Sequence, residues 1–234
     1  MTRHPDGART QATMSELEVF WGSGSQPSWR VLLALEVKRL PYKSHVISFS
    51  AGDHKTPEFL RLNPRHQVPV LRHGDFVLTE SVAILAYLDQ KFPEVPLFGR
   101  TPEETGLIWR SVLEFVHYVE PALQQGVVRP IFFNRVEGAR EAIEAKAKDV
   151  HVELQGYEAH LAGHDWLIGN ALSAADIVVF PQLMGLLRAA TRPAAAGITL
   201  SLLPFDETYP KLAAWVRRIE TLPGYQNTYP PHWR

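Results

Sequence analysis

Apolar and polar residues alternate along this chain in two rhythms, and the rhythm changes about two fifths of the way through. Leu17 to Trp21 form a short apolar-rich segment that ends in Gly22-Ser23-Gly24-Ser25, after which Trp29, Val31, Leu32, Leu33 and Leu35 follow at helical spacing. This predicts strand, loop, helix. Val46 to Phe49 are a second short run of β-branched and aromatic residues, and Val68 to Leu71 with Phe76 to Leu78 flank His73-Gly74-Asp75, a turn signal between two strands. Glu80 to Phe92 then carries Val82, Ile84, Leu85, Tyr87 and Leu88 in a helical pattern. The expected order is β-α-β, a connection, then β-β-α.

Past Pro93 only helical rhythms remain. Thr101-Pro102-Glu103-Glu104 offers a cap, a proline at the first helical position and an acid at the third, which opens a long helix. Arg135 to Leu161 has the charge alternation and spaced apolar residues of another helix. Ala174 to Ala190 is apolar nearly all round, as a buried helix is, and Pro204 to Trp215 holds a turn and a further helix start. The expected fold class is an α/β unit followed by an all-α unit: residues 15–92, a linker at 93–101, and helices over 102–234. Residues 1–14 are polar and broken by Pro5 and Gly7; they are expected to be a disordered tail without a secretory signal, and Met14 is an alternative start.

Composition removes whole classes of function. Lys and Arg number 24 against 25 Asp and Glu, and a formal net charge of -1 gives no general attraction for nucleic acid or anionic lipid. No stretch reaches the roughly 18 apolar residues of a membrane-spanning helix, so no membrane partner is expected and the expected location is cytoplasmic. With no cysteine there is no disulfide framework, thiolate metal site or cysteine nucleophile. The histidines do not make a metal site either: His45, His54, His66 and His73 form no pair on one helix face, and His160 with His164 sit beside Gly163 at a helix end. No metal is expected.

Three motifs remain that carry chemistry. Ser25-Gln26-Pro27-Ser28-Trp29-Arg30 places two hydroxyls at a helix entry, where an anion or thiolate is stabilised by the helix dipole; the alternative is that Ser25 or Ser28 only caps the helix. Asn63-Pro64-Arg65-His66-Gln67-Val68-Pro69-Val70 puts Pro69 at a strand start, which suits an edge or a cis bond that turns the Val68 backbone toward an extended peptide. Thr79-Glu80-Ser81 precedes a helix: free amides and Ser81 suit a carboxylate and Glu80 an amine, together the end of a free amino acid, while the plain alternative is an ordinary cap.

Together these motifs resemble the glutathione transferase superfamily, and with Asp53-His54-Lys55 and Ser173-Ala174-Ala175-Asp176 the resemblance runs from about Glu16 to Arg234. The loop Gly22 to Val31 and the closing Tyr229-Pro230-Pro231-His232-Trp233 look most like rho-type members, with theta and zeta types next. The resemblance implies a thioredoxin-like domain that binds glutathione as co-substrate, a helical domain that holds a hydrophobic electrophile, and a homodimer. It makes Ser25 the hydroxyl that faces the glutathione sulfur, with Ser28 the other candidate. Glu80 and Ser81 would take the γ-glutamyl end, Val68 before Pro69 the cysteinyl backbone, and His54, Lys55 and Gln67 the glycyl end or nearby backbone. Ser173 and Asp176 would be a structural capping box. Some relatives have a cysteine after the paired prolines of the first loop; here Gln26-Pro27-Ser28 stands, which excludes disulfide exchange through the protein.

The implied reaction is conjugation of a serine-held glutathione thiolate to an electrophile, with reduction of organic hydroperoxides by the same thiolate. A non-catalytic ligand carrier or scaffold and a cis-trans isomerase are the competing readings. For the electrophile, Phe115, Tyr118 and Arg129, with Phe132 and Phe133, offer an aromatic wall, against the alternative that aromatic residues at helical spacing are ordinary core.

Overall fold

In the computed structural model, which describes residues 16–233, strand β1 (Leu17–Trp21) buries Leu17, Val19 and Trp21 and leaves the residues between them half-buried. The tail expected at residues 1–14 lies outside the described residues. β1 sits inside a four-stranded sheet of order β2-β1-β3-β4. The edge strand β2 (Tyr42–Val46) runs parallel to β1, β3 (Val70–His73) antiparallel to β1, and β4 (Phe76–Thr79) antiparallel to β3.

The second strand is thus not at Val46 to Phe49, where the apolar run pointed. It lies four residues earlier, with Tyr42 opposite Leu17 and Val46 opposite Trp21. As a sheet edge it needs little apolar surface, and its polar residues pair across the strands instead. His45 stacks on Phe20 at 4.5 Å and bonds Glu18 at 2.8 Å, and Arg72 of β3 forks onto the same Glu18 carboxylate at 2.8 Å. Burial pushes the Glu18 carboxyl up, but the Arg72 and His45 contacts outweigh it and leave its pKa below the ordinary value. Val46, the last residue of β2, and Phe49, in the loop that leaves the sheet, are both exposed.

Helix α1 (Gln26–Val37) is buried continuously from Ser28 to Leu35, because it packs on α3 (Ser81–Lys91) on one side and on α7 (Ala174–Ala190) of the helical half on the other. The short α2 (Pro57–Leu62) is capped by Thr56, whose hydroxyl accepts from Phe59 N. In α4 (Pro102–Glu114) Thr101 accepts from Glu104 N at 3.2 Å, and the Glu104 carboxylate accepts from Arg100 N at 2.7 Å. The helix then widens into π turns at Phe115–Val119 and Ala122–Val128 before α5 (Arg129–Phe132). Pro121, which has no N–H to continue the ladder, stands between the two wide turns.

The helix expected from Arg135 begins instead at Arg140 (α6, Arg140–His160), after a turn in which Gly138 has φ +71°. Beyond α7 come α8 (Phe205–Thr208), α9 (Pro210–Glu220), α10 (Tyr225–Thr228) and a last turn at Pro231–Trp233. α7 starts on a capping box: Ser173 Oγ accepts from Ala175 N at 3.3 Å and Asp176 accepts from Ser173 N at 2.9 Å. The other Asp176 oxygen takes Leu167 N at 3.0 Å and Trp215 Nε1 at 2.9 Å, so this fully buried carboxyl organises three segments. One apolar core runs through both halves, joining Leu71 and Leu85 to Val178 and Trp215. Among the described residues no helix is long and apolar enough to cross a membrane.

Candidate active site

The end of β1, the start of α1, the turn before β3 and the start of α3 meet at one place, and Gly22 is the pivot. A Cβ there would lie 2.5 Å from the Phe49 ring and 3.4 Å from Val68, so only glycine lets the first loop close on the Val68 turn. His54 in turn packs edge-on against Phe49, with ring centroids 5.2 Å apart. The Val68–Pro69 bond is cis, and the Val68 backbone takes part in no hydrogen bond among the described residues.

Of the two hydroxyls in the first loop, one is sealed and one is accessible. Ser28 is 0% exposed and its Oγ accepts from Gly22 N at 3.4 Å. Ser25 is half-buried; its Oγ accepts from Ser28 N at 3.3 Å, which leaves its own proton free to donate. Free amides are fewer at this helix entry than the motif suggested. Pro27 has none, Ser28 N goes to Ser25 Oγ and Trp29 N to Ser25 O, so the hydroxyl and the helix dipole carry most of any stabilisation of an anion.

The start of α3 offers more. Glu80 supplies no side-chain cap, so the first-turn amides of α3 stay open. Glu80 itself has φ +67°, a conformation that costs a non-glycine residue about 1–3 kcal/mol and that recurs at ligand sites. Ser81 is buried, and its Oγ accepts from Arg30 Nη1 at 3.3 Å, so its proton too is available to an acceptor.

The glycyl-end candidates spread along the rim. His54 is half-buried with Nδ1 enclosed and unpartnered, while Lys55 and Gln67 are exposed. Among the aromatic candidates, Phe115 is 2% exposed and belongs to the core, packed by the wide turn that it begins. It cannot form a ligand wall without the core moving. Tyr118 is 76% exposed, and the exposed Arg129 lies over the equally exposed Phe133 ring at 5.4 Å. Phe132 is half-buried.

Asn63, Arg30, Ser23 and His232 stand in segments quoted from the sequence without being given a role, and Glu120 and Gln182 were not singled out. Asn63 is buried and holds the turn shut, donating to Gln67 O at 2.8 Å and accepting from Arg65 N at 3.0 Å. Arg30 is 3% exposed; besides Ser81 it reaches Val178 O at 3.1 Å and the Glu120 carboxylate at 2.7 Å, and Glu120 takes Gln182 Nε2 at 2.6 Å. The start of α3 is therefore wired to the helical half through a buried ion pair. The signal for Arg30 was its place in an otherwise apolar helix. Ser23 bonds His232 at 2.6 Å, and the Trp29 ring sits among Phe180, Tyr225, Tyr229 and Trp233, so the end of the chain is clamped on the first loop. Among the described residues no group of three His, Asp or Glu could hold a metal ion.

Comparison with known proteins follows the same lines. The family model described as Glutathione S-transferase, N-terminal domain, matches residues 25–91, and Glutathione S-transferase, C-terminal domain, matches residues 115–223. Glutathione S-transferase A of Pleuronectes platessa is 30% identical over 227 residues, covering 93% of each chain. Glutathione S-transferase theta-1 of Mus musculus is 31% identical over 89% of this chain and 84% of its own. A crystal structure of a glutathione S-transferase from the Antarctic clam Laternula elliptica superposes with a TM-score of 0.76 at 30% identity, covering 94% of each chain.

Proposed function

This chain belongs to the glutathione S-transferase family, which uses glutathione as co-substrate, and from that premise we propose that it holds the thiolate with the Ser25 hydroxyl for attack on a hydrophobic electrophile. The single observation behind the choice is the contrast between the two serines: Ser25 is accessible with its proton unclaimed, Ser28 is sealed. A free thiol has a pKa of about 8.5, and lowering it by two units needs roughly 2.7 kcal/mol. A hydrogen bond to a charged acceptor contributes about 1.5–3 kcal/mol and a helix N-terminus about 0.3–1, so the two together suffice. Ser25 acts as a donor and not as a base, since no base adjoins it to take its proton.

In this reading the γ-glutamyl carboxylate meets the open amides and Ser81 at the start of α3, and its amine meets Glu80. The cysteinyl backbone pairs with Val68, and the glycyl end lies by His54, Lys55 and Gln67. The thiolate lone pair forms the new S–C bond while the leaving group departs with its electron pair. The same thiolate would reduce organic hydroperoxides, with a second glutathione closing the disulfide. The clamp of the closing Tyr229 to Trp233 on the first loop supports a serine-type, rho-like subgroup, and a homodimer is expected from the family. The residue limits proposed for the two domains are 15–92 and 102–234.

The test is turnover of chlorodinitrobenzene with glutathione, after retention on immobilised glutathione. Ser25→Ala is expected to lower kcat/KM by roughly 10- to 100-fold, the worth of one charged hydrogen bond, while Ser28→Ala leaves the thiol pKa of the complex in place. Retention without any turnover by the natural chain would contradict the reading and favour a carrier.

A further inference from the structure

Two arginines at the end of α7 have no acid to answer them. Arg188, in the last turn of α7, and Arg192, four residues on, form none of the ion pairs among the described residues, whereas Arg30, Arg72, Arg217 and Arg218 each hold a carboxylate. Each lies on an aromatic face instead: Arg188 Cζ is 4.8 Å from the centre of the Trp233 ring and Arg192 Cζ 4.7 Å from that of Phe132. In both, Nε is enclosed with no hydrogen-bond partner among the described residues. An enclosed donor without an acceptor destabilises the fold unless something supplies one, and for an arginine the acceptor that suits it best is an anion.

Arg188 lies beside the reacting centre, and Arg192 follows it just past the end of α7. One turn before Arg188, a Cβ on Gly185 would lie 2.6 Å from Gln26 Nε2, the side chain that follows Ser25. On the other side of Arg188, the Trp233 ring nitrogen lies 3.3 Å from where a Cβ on Gly24 would stand, next to Ser25 again. Glutathione's own carboxylates have other places, at the start of α3 and along the His54–Gln67 rim. From Ser25, Gln26 meets α7 at Gly185, Arg188 follows in the last turn of that helix, and Arg192 stands beyond its end over the Phe132 ring.

We propose that Arg188 and Arg192 receive a negatively charged group of the electrophile, so that the enzyme prefers aromatic electrophiles bearing a carboxylate or sulfonate over neutral ones of equal reactivity. The proposal rests on the reading of Ser25 as the partner of the sulfur, and it adds the substrate class. The planar guanidinium meets a carboxylate with two parallel bonds, while Trp233 and Phe132 flank the ring that carries it. The chemical step is unaltered: sulfur bonds the ring carbon, and chloride leaves with the electrons of the C–Cl bond.

The test separates binding from turnover. With glutathione present, unreactive dinitrobenzoate and its methyl ester are titrated against tryptophan fluorescence. The acid is expected to bind about 10- to 100-fold more tightly than the ester, less so as salt is raised. Arg188→Gln with Arg192→Gln should abolish that preference, and the double lysine variant should keep part of it. In turnover, the kcat/KM ratio of chlorodinitrobenzoate to its methyl ester should fall by the same factor. An ester that binds as well as the acid, or a preference that survives the double glutamine variant, would overturn the proposal. So would a double variant that weakens glutathione in place of dinitrobenzoate, since the arginines would then serve the co-substrate. Because the probes do not react, a failure of Ser25 to hold the thiolate shows separately and leaves the anion preference measurable.

Discussion

His232 Nδ1 lies 2.6 Å from Ser23 Oγ, across 209 residues of chain, and this bond fastens the last turn onto the loop that presents Ser25. Trp233 Nε1, which can only donate, lies 3.0 Å from His232 Nε2. Nε2 must then accept, so Nδ1 carries the hydrogen and donates to Ser23. The arrangement requires a neutral imidazole.

The pH dependence of this clamp follows. Burial first, and then the charge of Arg188, hold the His232 pKa below its ordinary value of 6.5. A depressed pKa means that the unfolded chain binds the proton more readily. The stability that His232 contributes is therefore complete above pH 6.5 and is lost as pH falls through the lower folded value. Protonation would also turn Nε2 into a donor facing the Trp233 N–H. NMR titration of the His232 ring should give a midpoint under 6.5, with Trp233 shifting in step. A midpoint at or above that value would contradict the neutral clamp.

Arg30 and Glu120 should behave as a buried pair. Arg30→Met leaves Glu120 without its cation and Ser81 without its donor, and is expected to cost about 3–5 kcal/mol in urea denaturation. Arg30→Met with Glu120→Met should recover most of that loss, because no lone charge remains, yet glutathione affinity should stay reduced through Ser81. A single variant that costs less than about 1 kcal/mol would show that the pair does not tie the two halves together.

Much of this was legible in the sequence, for reasons that differ by residue. The caps at Thr101 and Ser173 are local, set by neighbours two or three residues away, and their bonds are made within those few residues. The buried α7 announced itself by being apolar on every side. β2 was misplaced because an edge strand owes its place to pairing with β1 and to the Glu18–Arg72–His45 ladder, whose members come from three strands. Ser25 and Ser28 look equivalent in sequence; the fold separates them by turning one Oγ inward to Gly22 N. The Ser23–His232 bond and the unanswered Arg188 and Arg192 depend on contacts between distant parts of the chain, which no local pattern encodes.

Asp176 should be the costliest single carboxyl to remove. Asp176→Ala leaves Leu167 N, Ser173 N and Trp215 Nε1 buried without an acceptor, each worth about 1–3 kcal/mol. Ser173→Ala removes the cap bond and should cost about 1 kcal/mol. Chemical denaturation of the two variants checks the order; equal losses would mean that the carboxyl acts only as part of the helix cap.

The most direct test of the account is the ultraviolet thiolate absorbance of enzyme-bound glutathione, titrated against pH in the natural chain, Ser25→Ala and Ser28→Ala. The natural chain should titrate about two units below the free thiol's roughly 8.5, and Ser25→Ala should move the midpoint back up by at least about one unit. A titration unchanged by Ser25→Ala, or displaced instead by Ser28→Ala, would contradict the assignment of Ser25 as the donor to sulfur.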